Sequence, residues 1–249
     1  MHIETRTWSP MREPLACFVL LLLGERPTGS LWKEEEEAGE RVLSTTSTVV
    51  NQSPIPSSVS LDDAVAQLHD HEFFLLCDPH HLSHKTLPQP AEMEADPADP
   101  DLARKHFKLP KDLVPVVLSR ADEAPGPAPV VRIYEVVDHM PNPVWSSHVV
   151  SREEFIDHGE GTWVRIRSPL GVVMETRWSI RERRKGEEED GATLELVEDV
   201  VINCSRLVMG IVKGQVENNW KGIHKQIIDK LVKDAETAAA AAGNGSDEV

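Results

Sequence analysis

Positive charge is what this 249-residue chain has least to spare: 26 lysines and arginines stand against 42 aspartates and glutamates, a formal net charge of −16. Such a field repels phosphate backbones and anionic headgroups, and no Lys/Arg-rich patch interrupts it, which counts against nucleic acid as a partner. Cysteine is scarce as well. Cys17, Cys77 and Cys204 match none of the paired spacings that hold zinc or frame disulfides, which fits a reducing, cytoplasmic setting. Long apolar runs are missing. The longest, residues 15–23 (LACFVLLLL), falls well short of the ~20 needed to span a bilayer as a helix, so no integral membrane span is expected. Arg6 and Arg12 ahead of that run leave secretion by a signal peptide as the alternative, although Glu4 and Glu13 cancel them and no A-x-A-like site follows closely. The leader otherwise reads as an extension from an upstream start codon or as a disordered segment with a sticky run. Enzyme signatures are absent too: there is no G-x-S-x-G elbow, no phosphate-binding glycine loop, and no base beside Cys77 or Cys204. No catalytic residue, metal or cofactor is assigned on this reading.

An apolar share of 40% is below the usual globular average, so part of the chain is expected to pack nothing. Residues 33–40 (KEEEEAGE) repel one another as a solvated linker, and residues 1–41 read as a disordered leader. Residues 236–249 are small, polar and acidic and read as a disordered tail. Between them, residues 42–235 form one domain. It is interrupted at 87–129 by a proline-rich, acidic insertion (LPQPAEMEADPADPD at 87–101, ADEAPGPAP at 121–129) that offers neither helix nor sheet ladder.

The ordered remainder has readable periods. Residues 42–50 (VLSTTSTVV) are β-branched and are bounded by NQSPIP, a turn signal, which predicts a first strand. Ser60 then caps a helix, with Asp63 three residues on and Leu61, Val65 and Leu68 on one face. Residues 73–76 predict a second short helix that stops before Pro79. Strand patterns follow at 130–137, 144–150, 162–168, 172–181 and 193–203, separated by turn residues as in an antiparallel meander. Last comes the most regular element: Val212, Val216, Trp220, Ile223, Ile227 and Leu231 make one stripe on a helix of about 24 residues, a rod of about 36 Å.

This order of elements is that of the helix-grip fold, and the chain resembles the START and Bet v 1-like (SRPBCC) superfamily. More closely, 168–182 (SPLGVVMETRWSIRE), 194–224 (LELVEDVVINCSRLVMGIVKGQVENNWKGIH) and 68–84 (LHDHEFFLLCDPHHLSH) look like an uncharacterised family from filamentous fungi placed in that superfamily. The resemblance covers roughly 42–235. It implies an α+β fold: a curved antiparallel sheet of about seven strands, wrapped around the long C-terminal helix, with two short helices after the first strand. It also implies an apolar cavity for lipids, sterols or polyketides. The sequence departs from the plant allergen branch in its glycine-rich loop, for which only Gly159-Glu160-Gly161 is available, and the catalytic polar residues of the aromatic-ring cyclases have no match.

Period-two alternation sets Met174, Thr176, Trp178 and Ile180 on the face turned to the helix, with Val164 and Ile166 beside them and Trp163, Arg165 and Arg167 facing away. Leu194, Leu196, Val200 and Ile202 join the inner face, and the same register puts Glu198 there. An inward carboxylate needs a partner or a polar group of a ligand, unless a bulge turns it outward or it lies at an open cavity mouth. The candidate ligand-binding residues are therefore Met174, Trp178, Glu198, Val212, Val216, Trp220 and Ile223. Histidines 69, 71, 80, 81 and 84 cluster in sixteen residues, but the H-E-x-x-H glutamate is lacking and Pro79 interrupts any helix, so they read as structural or surface side chains rather than metal ligands. The favoured function is non-catalytic binding of a small hydrophobic molecule. A cyclase or dehydratase on an apolar substrate, or an interaction scaffold with a filled core, are the alternatives.

Overall fold

A computed structural model describes residues 44–119, 128–140, 147–183 and 192–244 of the chain. The expected leader, the apolar run at 15–23, most of 121–129 and the beginning of the strand expected at 144–150 lie outside the described residues.

Seven strands form one antiparallel sheet: β1 (Ser44–Ile55), β2 (His81–Thr86), β3 (Arg132–Met140), β4 (Ser147–His158), β5 (Gly161–Ser168), β6 (Val172–Glu182) and β7 (Leu194–Ser205). Their spatial order is β1-β7-β6-β5-β4-β3-β2, so β2 to β7 run as a meander and β1 closes onto β7. Two short helices, α1 (Leu61–Leu68) and α2 (His71–Leu76), lead from β1 to β2. The last described element is α4 (Arg206–Asn244), and α3 (Pro100–Phe107) lies between β2 and β3. This is the helix-grip fold.

Local chemistry explains most boundaries. Ser60 Oγ accepts from the Asp63 amide to open α1, and the Asp70 side chain accepts from the Phe73 amide to open α2. At the β4–β5 turn, Gly161 is required by contact. A Cβ there would run into the Trp178 carbonyl oxygen and come within 2.8 Å of Leu68 Cδ1, so α1 packs on the sheet only over a bare Cα.

Four expectations are corrected. First, β1 runs through the presumed turn NQSPIP to Ile55. Proline is tolerated at an edge strand because its missing N–H faces no neighbour, and Pro54 pairs with Glu195 on the one side β1 shares. Second, 81–86 is a strand; six polar-rich residues at the opposite edge carry no apolar alternation by which to find them. Third, the insertion at 87–129 is built structure over much of its length. Asp99 caps α3, Pro100 occupies its first turn, where proline is favoured, and Lys108 ends it in the left-handed region. Fourth, α4 continues to Asn244 through the run of alanines, the best helix former, though residues 236–241 are exposed.

The sheet carries a core on each face. On the inner face Phe155, Trp178, Ile180 and Leu196 of the sheet share a core with Leu68 of α1, Leu75 of α2, and Ile227 and Leu231 of α4. On the outer face Met93, Ala103, Phe107, Leu109 and Leu113 of the insertion cover Ile133, Ile156 and Trp163. Trp163 thus faces away from α4 as expected, yet is only 3% exposed. Arg165 beside it stacks 4.8 Å from its ring and donates to the carbonyls of Phe107 and Lys108, fastening the insertion to the sheet.

Candidate functional site

The inner face of β1, β7 and β6 meets α4 at a small polar cluster in an apolar setting. Register places Asn51 opposite Glu198 and Glu198 opposite Trp178, with all three side chains turned to the helix. No bulge intervenes. Glu198 is 6% exposed, and Asn51 Nδ2 donates to its Oε2 at 2.7 Å. From the helix side comes His224, 1% exposed, whose Nδ1 lies 2.8 Å from Ser53 Oγ and whose Nε2 lies 3.7 Å from Glu198 Oε2. Its ring is held between two indoles, 5.3 Å from Trp178 and 5.2 Å from Trp220. Trp178 in turn meets Phe74 of α2 edge to face at 5.0 Å.

The expected site residues divide. Trp178 and Glu198 belong to this cluster, with Trp220 at its rim. Met174, Val212, Val216, Trp220 and Ile223 are half-buried. Met174 stands in register between Ile166 and Ile202, while Ile223 packs against the inner core. Beside Trp220 a groove of about 360 Å³ opens between β1 and α4, lined by Ser53, Pro54, Trp220, Lys221, Lys225, Ile228 and Asp229. His224, Asn51 and Ser53 escaped sequence reasoning. For the two on β1 the cause is the turn reading of NQSPIP. For His224 a signal existed: it lies four residues after Trp220 and three before Ile227, so it shares the face of Ile227 and Leu231, where the expected stripe had Ile223 instead.

The other half of the inner face is more polar. His71 Nε2 donates to Asp157 Oδ1 at 2.9 Å, its Nδ1 lies 3.2 Å from the Tyr134 hydroxyl, and Arg132 reaches Asp157 Oδ2 at 3.3 Å. His69 Nε2 donates to the carbonyls of His158 and Gly161, tying α1 to the β4–β5 turn. His84 links His81 at 3.0 Å and Glu72 at 2.8 Å. The clustered histidines are thus engaged largely with protein groups, and among the described residues no set of three or more His, Cys, Asp or Glu is placed to hold a metal. Burial, with Asp138 nearby, raises the Glu153 carboxyl to about 8. Asp138 is raised to about 6, again chiefly by burial. Burial also pushes the Cys77 thiol up to about 12, leaving it unreactive near neutrality.

Residues 44–235 match the profile of a protein family described as a domain of unknown function, DUF7053. The chain belongs to that family. No curated protein matches the sequence. Among solved structures, this DUF7053 chain is similar to the di-domain ARO/CYC StfQ from the steffimycin biosynthetic pathway at 9% identity and a TM-score of 0.46, covering 77% of this chain and 52% of StfQ. It thus spans about half the length of StfQ. Ara h 8.0201 is similar at 12% identity and a TM-score of 0.43, over 76% of this chain and 99% of that one. TTHA0849 from Thermus thermophilus is similar at 10% identity and 0.40, with the same coverages. Likenesses at this level concern the course of the backbone and carry nothing about ligand or chemistry. No described helix of the DUF7053 chain is long and apolar enough to cross a membrane.

Proposed function

We propose that this DUF7053 domain binds a small hydrophobic molecule, of lipid, sterol or polyketide-like character, between its sheet and the first half of α4, without performing chemistry on it. One observation carries the reading. Val212, Val216 and Trp220 are spaced to face the sheet, as Ile227 and Leu231 do, yet they stay half-exposed and stand outside the inner core while the latter two are buried in it. Apolar side chains held open on a face that is otherwise closed, with a few convergent polar groups behind them, are the usual make-up of a ligand site. The free, buried thiols of Cys77 and Cys204 fit a cytoplasmic carrier.

Native mass spectrometry of the purified full chain, followed by solvent extraction, tests the reading. The expected result is a co-purifying hydrophobic molecule, together with a saturable change in tryptophan emission on re-adding it that is lost in Trp220→Phe. Absence of any such molecule, and of any emission change with fatty acids, sterols or aromatic polyketides at micromolar concentration, would favour a scaffold with a filled core.

A further inference from the structure

We infer that Glu198 and His224 form a polar anchor for a single neutral hydroxyl group on the ligand, so that the site selects apolar alcohols over the corresponding carboxylates. The inference rests on the ligand reading above and names its chemical class.

Its basis is the geometry of one pair of atoms. Among the described residues, His224 Nε2 is buried and meets no hydrogen-bond partner, while Glu198 Oε2 stands 3.7 Å away, beyond hydrogen-bond reach. An oxygen can sit about 2.8 Å from each of two atoms at that separation, which is ordinary hydrogen-bond length. The two atoms also differ in what they offer. In the tautomer the anchor requires, the Ser53 hydroxyl donates to Nδ1 and the ring proton lies on Nε2, which then donates, while the Glu198 carboxylate accepts. A group that satisfies both must donate and accept through one oxygen, which is what an alcohol does. An ether or ketone oxygen accepts from His224 but offers Glu198 nothing, and a carboxylate brings a second negative charge against a buried one.

The neighbours favour the same class. Asn51 already occupies one lone pair of Oε2 and fixes the carboxylate, and Ser53 fixes the imidazole, so the anchor is held in place before a ligand arrives. Trp178 and Trp220 flank the imidazole and offer apolar surface to the remainder of the molecule, and Val216, one turn before Trp220 on the same helix face, is half-buried. Among the described residues no lysine or arginine pairs with either atom; the cations of the groove stand outside the anchor, Lys221 over the Trp220 ring and Lys225 paired with Asp229.

The test compares 1-dodecanol, its methyl ether and dodecanoate by tryptophan emission, using the full chain and two variants. Glu198→Gln removes the charge while keeping the shape, and His224→Phe keeps a ring between the two tryptophans while removing the nitrogen; thermal melts establish that each is folded. The wild-type protein is expected to bind the alcohol at least about tenfold more tightly than the ether or the acid, as for a hydrogen bond to a charged group. Either variant should bring the alcohol to within about threefold of the ether. In Glu198→Gln dodecanoate should bind more tightly than it does to the wild type. Dodecanoate binding as tightly as the alcohol, or a preference that persists in both variants, overturns the anchor while leaving the ligand site standing. Binding of none of the three overturns the ligand site and the anchor together.

Discussion

The two faces of the sheet are closed by different means. Outside, a proline-rich segment brings Met93, Phe107, Leu109 and Leu113 down onto Ile133, Ile156 and Trp163, and Arg165 fastens it through backbone carbonyls. Inside, one long helix seals the face over Ile227 and Leu231 and then leaves Val212, Val216 and Trp220 half-open above a buried glutamate and histidine. A segment without regular periodicity can follow the contour of a sheet and fill it. A straight helix crossing a curved sheet touches it well over only part of its length. Both faces hold a buried core, but only the inner one leaves apolar side chains of its covering helix half-open.

The sharpest way to break this comparison is to charge the two halves of α4 in turn. Ile227→Asp buries a carboxylate in the closed half and should cost several kcal/mol, near the whole stability of a domain, whereas Val212→Asp in the open half should cost about 1 kcal/mol or less. Denaturant melts showing equal losses would mean that the helix is uniformly packed. On the outer face, Phe107→Ala should cost about 3–5 kcal/mol, as for a core aromatic. A change within about 0.5 kcal/mol, typical of surface sites, would return the insertion to the status of a loose loop.

The polar half of the inner face should show itself in the pH dependence of stability. Glu153 rests at an ordinary value of 4.5 in the unfolded chain and at about 8 in the folded one, so between those values the native state holds a proton that the unfolded state has released. The stabilisation is complete below about 4.5 and is lost as pH rises through 8, at up to about 1.4 kcal/mol per pH unit. Glu153→Gln should flatten that decline. Parallel melting curves for the two proteins over pH 5 to 8.5 would count against a buried, protonated Glu153. The smallest effect is expected from Val216→Trp, which should leave the melting temperature nearly unchanged while abolishing hydrophobic ligand binding. A loss of about 1–3 kcal/mol would instead report overpacking of a filled core.

Alternation and helical period are local properties, and they were legible. The inner register of β6 and β7, including the inward Glu198, follows from side chains pointing to opposite faces every second residue. Ser60 and Asp63 announced α1 because a cap is a contact within one turn. The edges were harder. Pro54 inside β1 is tolerated only because that strand is at the margin of the sheet, a fact about neighbours that no local window contains, and misreading it hid Asn51 and Ser53 from the site.

What the sequence by itself determined is the order of elements, the inner and outer sides of the central strands, and an apolar last helix long enough to cross them. Tertiary structure alone decided that the acidic, proline-rich insertion covers the outer face. It also decided that His224 rather than Ile223 is the residue α4 buries at that turn, and that Asn51 and Ser53 meet Glu198 and His224 from 147 and 171 residues away in sequence. The reason is physical: a period is written in each turn or pleat, whereas the partner of a buried polar group is set by which distant backbone the fold carries within about 3 Å of it.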